Sequence, residues 1–222
     1  MAWFREIGLV VLAAVVLSFL IKTFFFRAFF IPSFSMADTL KVDDRIIVNL
    51  LIPEPFGLAR GDVIVFRDTK NWLPETSPGP DRGLGGVVED SLGFVGLLPE
   101  KSGNYLVKRA IGLPGDRVTC CTAAGQITVN GAALNETYLN AAEPAWVQPF
   151  DVVVPPGKLW VMGDNRNYSA DSRAHRGTDG GFVDLSDVEG KASVIAWPPN
   201  RTGPVDNYPG VFAGVPAPRT AG

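Results

Sequence analysis

The sequence contains few of the residues that enzymes most often use as bases or metal ligands. Among 222 residues there is a single histidine, His175, and the two cysteines are the adjacent pair Cys120-Cys121. Adjacent cysteines do not match the spacings of common zinc sites, and they leave open either a vicinal disulfide or two free thiols. The cysteines therefore indicate neither a metal site nor a cellular compartment.

A strongly basic character is also missing. The net charge is -3 at pH 7, and residues 1–30 carry more cations than anions, so the rest of the chain is acidic. Because a DNA-binding protein usually presents a basic face, this balance argues against nucleic acid as a partner. The 24 glycines and 18 prolines favour a turn-rich β fold over a helical bundle. Nothing in the composition indicates an oligomeric state.

The chain has only one long hydrophobic run. The uninterrupted part, Ile7 to Ile21, is shorter than the ~20 residues that span a bilayer. Extended to Phe30 it gives about 36 Å of helix, and Lys22 and Arg27 can snorkel to the headgroups. A cleaved signal peptide is the alternative, but Phe and Arg stand where small cleavage-site residues would be needed. We therefore predict a short N-terminus and a retained transmembrane anchor over residues 1–30, with an orientation that the flanking charges leave open.

Short β-branched runs separated by turn signals follow the anchor and predict strands. The predicted strands cover residues 45–50, 62–67, 105–112, 117–121, 126–130, 150–154, 158–162 and 191–197. Asn130-Gly131 predicts a tight hairpin turn. Residues 68–104 have no sustained period and indicate an inserted loop, and the Pro/Gly-rich residues 200–222 are predicted to be a disordered tail. The expected fold is mostly β, with an antiparallel β-rich domain over residues 31–199 behind one transmembrane helix.

Two serines, Ser33 and Ser35, stand between the anchor and this domain. A serine hydroxyl is a weak nucleophile until a neighbouring base takes its proton. His175 could be that base, although a lone histidine in a polar loop is also typical of a solvated side chain. The alternative base is a lysine, which must be buried in an apolar site to be neutral at working pH.

Lys108 is the lysine whose surroundings best fit desolvation. It lies inside an apolar run, and period-2 alternation puts it on one strand face with Leu106 and Ala110. A lysine that protects an edge strand from aggregation gives the same pattern, so the pattern alone leaves both readings open. Residues 163–173 are dense in hydrogen-bonding side chains, which suits either a supporting loop of a site or a capped surface turn with an Asp171–Arg173 pair.

Five segments, taken together and in this order, resemble a known family. They are Ile31 to Met36, Asp44 to Val48, Arg60 to Phe66, Tyr105 to Val118 and Gly163 to Arg173. They resemble the ordered motifs of the bacterial type I signal peptidases, over most of residues 7–197, and the single anchor is more similar to the Gram-positive and actinobacterial forms.

The resemblance implies a membrane-bound serine endopeptidase of the Ser-Lys dyad type with a signal-peptidase-like fold. It implies cleavage of exported preproteins after Ala-x-Ala-like sites, with signal peptides and the lipid bilayer as partners and without a cofactor or metal. It also implies a single-pass protein of the plasma membrane with its catalytic domain on the extracytoplasmic side.

The resemblance also implies a role for each matched residue. Ser35 is expected to be the nucleophile and Lys108 the general base, and the Ser33 hydroxyl with the Ser35 backbone N–H is expected to form the oxyanion hole. Ser169 is expected to orient the lysine, while the residues expected to support the site are Asp164, Arg109, Asp171 and Arg173. The residues expected to line the substrate pockets are Ile31, Pro32, Met36 and Val107.

The sequence departs from the family pattern at two places. Ala37-Asp38 stands where the family usually has a residue followed by proline, and Phe34 stands where it often has glycine. Two other classes of function remain alternatives, a Ser-His hydrolase that uses His175 and a non-catalytic, membrane-anchored β domain. Self-cleaving repressor-type proteases share Ser-Lys chemistry, but they lack a membrane anchor.

Overall fold

A computed structural model describes residues 2–73, 104–142 and 148–218 of the chain. Most of the predicted insertion, residues 74–103, lies outside the described residues. Helix α1 spans Ala2–Phe24, and its 23 residues give a length of about 34 Å. Residues Trp3–Phe24 have a mean hydropathy of 2.5 and none of that stretch is buried against the rest of the protein. By length and composition α1 is therefore able to cross a bilayer.

The predicted end of the anchor at residue 30 is corrected by the structure. The helix ends at Phe24, and β1, Phe26–Phe30, is already part of the β domain. β1 pairs antiparallel with β2, Arg45–Asn49, in the register Phe26 opposite Asn49. The run FRAFF looked like a continuation of the apolar helix, but the Phe29 side chain is needed in the core, where it is only 1% exposed.

The described part of the chain forms two antiparallel sheets. Besides β1 and β2, the strands are β3 Val63–Arg67, β4 Tyr105–Gly112, β5 Arg117–Cys120, β6 Ile127–Val129, β7 Ala132–Ala133, β8 Phe150–Val153, β9 Lys158–Met162, β10 Val183–Asp184, β11 Val188–Trp197 and β12 Gly203–Pro204. The larger, eight-stranded sheet has the order β1-β2-β11-β3-β4-β9-β10, with β12 paired to β11, and the smaller has the order β7-β6-β5-β8. The predicted mostly β, antiparallel fold is confirmed, and so is each predicted strand.

The hairpin of the smaller sheet has the turn that the sequence predicts. Asn130 and Gly131 both have positive φ, 52° and 86°, as a type I′ turn requires. The Asn130 side chain accepts a hydrogen bond from the backbone N–H of Arg117, which ties the turn to the first residue of β5. Cys120 and Cys121, at the end of the same strand, are joined as a vicinal disulfide.

The hydrophobic core divides into three parts, and β3 and β4, the two strands that matter most for the site, lie between them. One part packs beneath β1 and β2, and a second fills the space between the two sheets around Trp160, which is fully buried. The third lies on the other face of β3 and β4 and includes Trp72 and Leu106. β4 therefore has packed side chains on both faces, which explains why a polar residue on this strand is removed from water.

The predicted disorder of residues 200–222 is also corrected over the part that the structure describes. β12 extends the larger sheet, and a short helix α2, Pro209–Phe212, packs its Phe212 side chain into the second core region. A Cβ at Gly61 would come within 2.8 Å of the Phe212 ring, so the two segments are in close contact. Pro and Gly made the segment look disordered, but Val205 and Phe212, 8% and 7% exposed, fix it to the domain.

Candidate active site

Ser35 lies in a short 3₁₀ turn, Phe34–Met36, that follows β1. Asn165, in the loop after β9, holds this turn with two hydrogen bonds. Its backbone N–H donates to the Ser35 carbonyl at 3.1 Å, and its side-chain amide donates to the Phe34 carbonyl at 3.0 Å. The serine is thus fixed by the loop after β9, which the sequence singled out for its density of polar side chains.

The Lys108 amine reaches this serine from β4. Its Nζ donates to Ser35 Oγ at 2.8 Å and to the Val107 carbonyl at 3.1 Å. Lys108 is only 2% exposed, and its neighbours on the same strand face, Leu106 and Ala110, are also buried. Of the two readings left open by the alternation pattern, the structure has the desolvated lysine and not an exposed edge-strand lysine.

Burial lowers the pKa of Lys108 from 10.5 to about 8. The cause is loss of water around the ammonium, which penalises the charged form. The nearby carboxylates of Asp171 and Asp164 act in the opposite direction and limit the shift. A lysine with a pKa of about 8 is neutral in about one molecule in ten at pH 7 and in about half at pH 8, so it is able to accept the proton of a hydroxyl group.

The predicted oxyanion donor, Ser33, lies beside the predicted nucleophile. Ser33 Oγ is 3.3 Å from Ser35 Oγ, and the Ser33 side chain is exposed to the cavity in front of it. A hydroxyl at this place can turn toward an oxygen that develops on a carbonyl attacked by Ser35.

Ser169 lies close to Ser35, but its contacts differ from the expected ones. A Cβ added at Gly163 would be 2.2 Å from Ser169 Oγ and 2.4 Å from the Ser35 carbonyl oxygen, so Gly163 brings the two segments together. The Ser169 hydroxyl is buried and helps to lower the pKa of the Asp171 carboxyl, while the hydrogen bonds of Lys108 go to Ser35 and Val107. Its role in orienting the lysine therefore stays a prediction.

Arg109, next to the lysine but on the other face of β4, forms a fully buried ion pair with Asp164. The guanidinium donates two parallel hydrogen bonds to the carboxylate at 2.8 and 2.7 Å, and both side chains are 0% exposed. Burial favours the neutral form of Arg109, but the hydrogen bonds and charge of Asp164 outweigh it and raise the pKa of the guanidinium. The guanidinium also lies over the Tyr138 ring, 4.2 Å from its centroid. This cluster fixes the loop that holds Ser35.

Asp171 and Arg173 form the expected ion pair at the other end of that loop. The Arg173 guanidinium donates to the two carboxylate oxygens at 2.9 and 2.8 Å. Asp171 also accepts the backbone N–H of Gly163 at 2.9 Å. Burial alone would raise the pKa of Asp171, but Arg173 and the Gly163 N–H hold it below its usual value. The pair ties residues 163–173 into one rigid loop.

A cavity of about 760 Å³ opens in front of Ser35 and Lys108. Its other walls are mostly apolar side chains, namely Pro32, Phe34, Trp72, Leu73, Leu106, Tyr168 and Ala170. Of the four residues predicted to line the substrate pockets, only Pro32 is among the described lining residues. Ile31 and Met36 are buried in the core beneath the cavity at 2% and 1% exposure, and Val107 packs against the same core.

Trp72 and Leu73 are the lining residues that sequence reasoning missed, because they lie in the stretch interpreted as a loop insertion. The Asp68 carboxylate accepts the backbone N–H groups of both, at 2.9 and 2.7 Å, which fixes the chain there. The Trp72 ring packs edge-on against Phe66 and is 7% exposed. An Asp four residues before an exposed-looking Trp was the only local signal for this turn.

His175 stands on the far side of Trp72 from the cavity. Its ring is stacked on the indole with 4.4 Å between centroids, and its Nδ1 hydrogen bonds with the Asp171 carbonyl at 2.9 Å. The partners of the Ser35 hydroxyl are instead Lys108 and Ser33. This geometry favours lysine over histidine as the base. No group of three potential metal ligands occurs in the described ranges.

Comparison with known proteins points to one family. A family model described as "Signal peptidase, peptidase S26" matches residues 4–197. The signal peptidase I of Mycobacterium tuberculosis H37Rv is 41% identical over 227 residues, covering 90% of this chain and 75% of the relative. Signal peptidase I U of Bacillus subtilis 168 is 32% identical over 171 residues, with 74% of this chain and 72% of the relative covered.

Among solved structures, a crystal structure of a signal peptidase I from Enterococcus faecalis V583 is similar to this chain. It is 26% identical, covers 61% of this chain and 97% of its own, and has a TM-score of 0.39.

Proposed function

The chain belongs to the signal peptidase family, peptidase S26, and from this premise we propose that it is a membrane-bound serine endopeptidase that cleaves signal peptides from exported preproteins with a Ser35–Lys108 dyad. Family membership makes it a hydrolase of the signal peptidase I type. The observation that carries the dyad is the 2.8 Å hydrogen bond between Lys108 Nζ and Ser35 Oγ at the base of the cavity.

The first half of the reaction uses the neutral lysine. Lys108 Nζ takes the hydroxyl proton as Ser35 Oγ forms a bond to the carbonyl carbon of the scissile peptide. The Ser33 hydroxyl and the Ser35 backbone N–H then donate to the oxyanion. Lys108 gives its proton to the leaving nitrogen as the C–N bond breaks, which leaves an acyl-enzyme on Ser35.

The second half repeats the proton transfer with water. Neutral Lys108 takes a proton from a water molecule, whose oxygen forms a bond to the ester carbonyl carbon. As the bond from that carbon to Ser35 Oγ breaks, Lys108 returns the proton to Oγ, which releases the acyl part as a carboxylic acid and restores Ser35 and neutral Lys108. The apolar walls around the cavity keep bulk water away from the ammonium, so each cycle returns the lysine to a site where its neutral form is favoured. Small apolar residues before the cut, as in Ala-x-Ala, suit a cavity with these walls.

The proposed setting is the plasma membrane, with α1 as a single-pass anchor and the catalytic domain on the extracytoplasmic side. Support comes from the exposed apolar surface of α1 and from its direct continuation into β1. A preprotein is held in the same bilayer by its own apolar segment, so anchoring raises its effective concentration at the site. Protease treatment of intact cells tests the side, since an extracytoplasmic domain is degraded while a cytoplasmic one is protected.

A gel assay of one Ala-x-Ala preprotein in detergent tests the chemistry. We expect Ser35→Ala and Lys108→Ala each to reduce cleavage by about 10⁴-fold or more, as for the loss of a nucleophile or base elsewhere. His175→Ala keeps the dyad and is the matched control, with a small effect at most. Loss of several decades with His175→Ala would support a Ser-His hydrolase instead, and unchanged cleavage in both dyad variants would support a non-catalytic anchored domain.

A further inference from the structure

A second cavity, of about 510 Å³, lies on the other side of Asn165 from the active-site cavity. Asn165 lines both cavities, and its two hydrogen bonds to the nucleophile turn make it the partition between them. Most of the residues that line the second cavity have polar side chains, among them Asp38, Gln126, Asn135, Asn140 and Asn167. The second cavity is therefore more polar than the cavity in front of Ser35 and Lys108.

Asp38 carries the uncompensated charge of this second cavity. The other ionic groups in its walls are paired, since Glu136 binds Arg166 with oxygens at 2.5 and 2.8 Å, and Asp164 binds Arg109. The Asp38 carboxylate is exposed, accepts the backbone N–H of Asn140 at 3.0 Å, and forms no ion pair with any described residue. It is free to bind a cation that enters the cavity.

The position of Asp38 relative to the nucleophile suggests which part of a substrate it meets. Asp38 follows Ser35 by three residues, and at about 2 Å per residue in a 3₁₀-like turn this places it roughly 6 Å further along. An extended peptide advances about 3.3 Å per residue, so this distance corresponds to about two residues of substrate. In the proposed reaction the acyl part of the substrate occupies the apolar cavity, which leaves the space beyond Asn165 for the leaving part.

We propose that the second cavity binds the residues that follow the scissile bond, and that Asp38 makes the enzyme prefer a basic side chain at the second of these residues. This inference rests on the proposed function and extends it to the amino terminus of the mature protein. The Asp38 position is one at which the chain departs from the proline usual in the family, so the preference is a property of this chain's own sequence.

Three preproteins that differ only at the second residue after the cut, as Lys, Gln or Glu, test the proposal with the full-length enzyme in detergent. We expect kcat/KM to be highest for the Lys substrate, lower for Gln and lowest for Glu. Each step should be about two- to five-fold, which corresponds to the interaction energy of partly exposed ion pairs. Added salt should reduce these ratios, because such pairs are screened. Asp38→Asn keeps an acceptor for the Asn140 N–H and should remove the preference, while Asp38→Lys should reverse it.

Glu54→Gln, which removes an exposed carboxylate outside both cavities, is the matched control and should keep the wild-type order. Equal rates on all three substrates with wild type, or an unchanged order with Asp38→Asn, would overturn this inference while leaving the proposed function intact. Failure of the wild type to cleave even the Gln substrate would overturn the proposed function and this inference with it.

Discussion

The lowered pKa of Lys108 predicts a specific shape for the pH dependence of cleavage. With a pKa of about 8, roughly 9% of molecules hold a neutral lysine at pH 7, about half at pH 8 and about 90% at pH 9. We therefore expect kcat/KM to rise about five-fold from pH 7 to 8, about two-fold from pH 8 to 9, and then to level off. An unperturbed lysine with a pKa of 10.5 would be neutral about 300-fold less often at pH 7 and would give a ten-fold rise per unit through pH 9.

Changing the hydration of the site should move this profile. Trp72 lines the cavity in front of Lys108, and Trp72→Ala replaces the indole with space that water can fill. Because burial is what lowers the pKa of Lys108, added water should shift the alkaline limb to higher pH. The matched control is Ser33→Ala, which removes an oxyanion donor; it should lower kcat by about 10²–10³ at every pH without moving the midpoint.

The assay is cleavage of a peptide that spans an Ala-x-Ala site, followed from pH 6 to 10 in detergent at constant ionic strength. A flat profile over this range would contradict the assignment of Lys108 as the titrating base. An equal shift of the midpoint in Trp72→Ala and Ser33→Ala would contradict the argument that desolvation by the cavity wall sets the pKa.

Other predictions concern packing and stability. Gly163→Ala puts a Cβ 2.4 Å from the Ser35 carbonyl oxygen and should reduce kcat by about 10², whereas Gly177→Ala, with open space around its Cβ, should have no effect in the same assay. Lys108→Met should raise the free energy of unfolding by about 1–3 kcal/mol at pH 7, as measured by thermal melts. The difference from the wild type should disappear as the pH rises from about 8 to 10.5. In that range the folded wild type binds fewer protons than its unfolded form, because the pKa of Lys108 is lowered only in the folded state. Phe212→Ala should cost about 3–5 kcal/mol in denaturant unfolding, and an unchanged midpoint would contradict the packing of the C-terminal segment.

The strands were predictable because each is a short β-branched run between turn residues, and period-2 alternation correctly put Lys108 on a face with apolar neighbours. β1 was not predictable in this way. Its sequence FRAFF is as apolar as the helix before it, and only pairing with β2 separates the two. The C-terminal segment was missed for a related reason, since composition does not reveal that Phe212 has a place in the core against Gly61.

The site shows the same division between local and long-range information. The proposal of Lys108 as the base depends on a contact between residues 35 and 108, which no local pattern encodes, and the family resemblance supplied the pairing. The cavity wall at Trp72 depended on the Asp68 cap and on the stacked His175 ring, from a distant loop. His175, which the sequence offered as an alternative base, packs behind this wall instead of facing the serine.

The direct passage from α1 into β1 connects the helix to the candidate active site without a flexible linker. A single residue, Phe25, separates the last helical residue from the strand, and the nucleophile turn begins soon after Phe30. The five residues of β1 span about 17 Å at 3.3 Å each, and pairing with β2 prevents this spacer from stretching. The separation between Ser35 and the end of α1 is thus limited by β1. In the proposed setting, a preprotein must therefore have its cleavage site at a matching distance from its apolar segment.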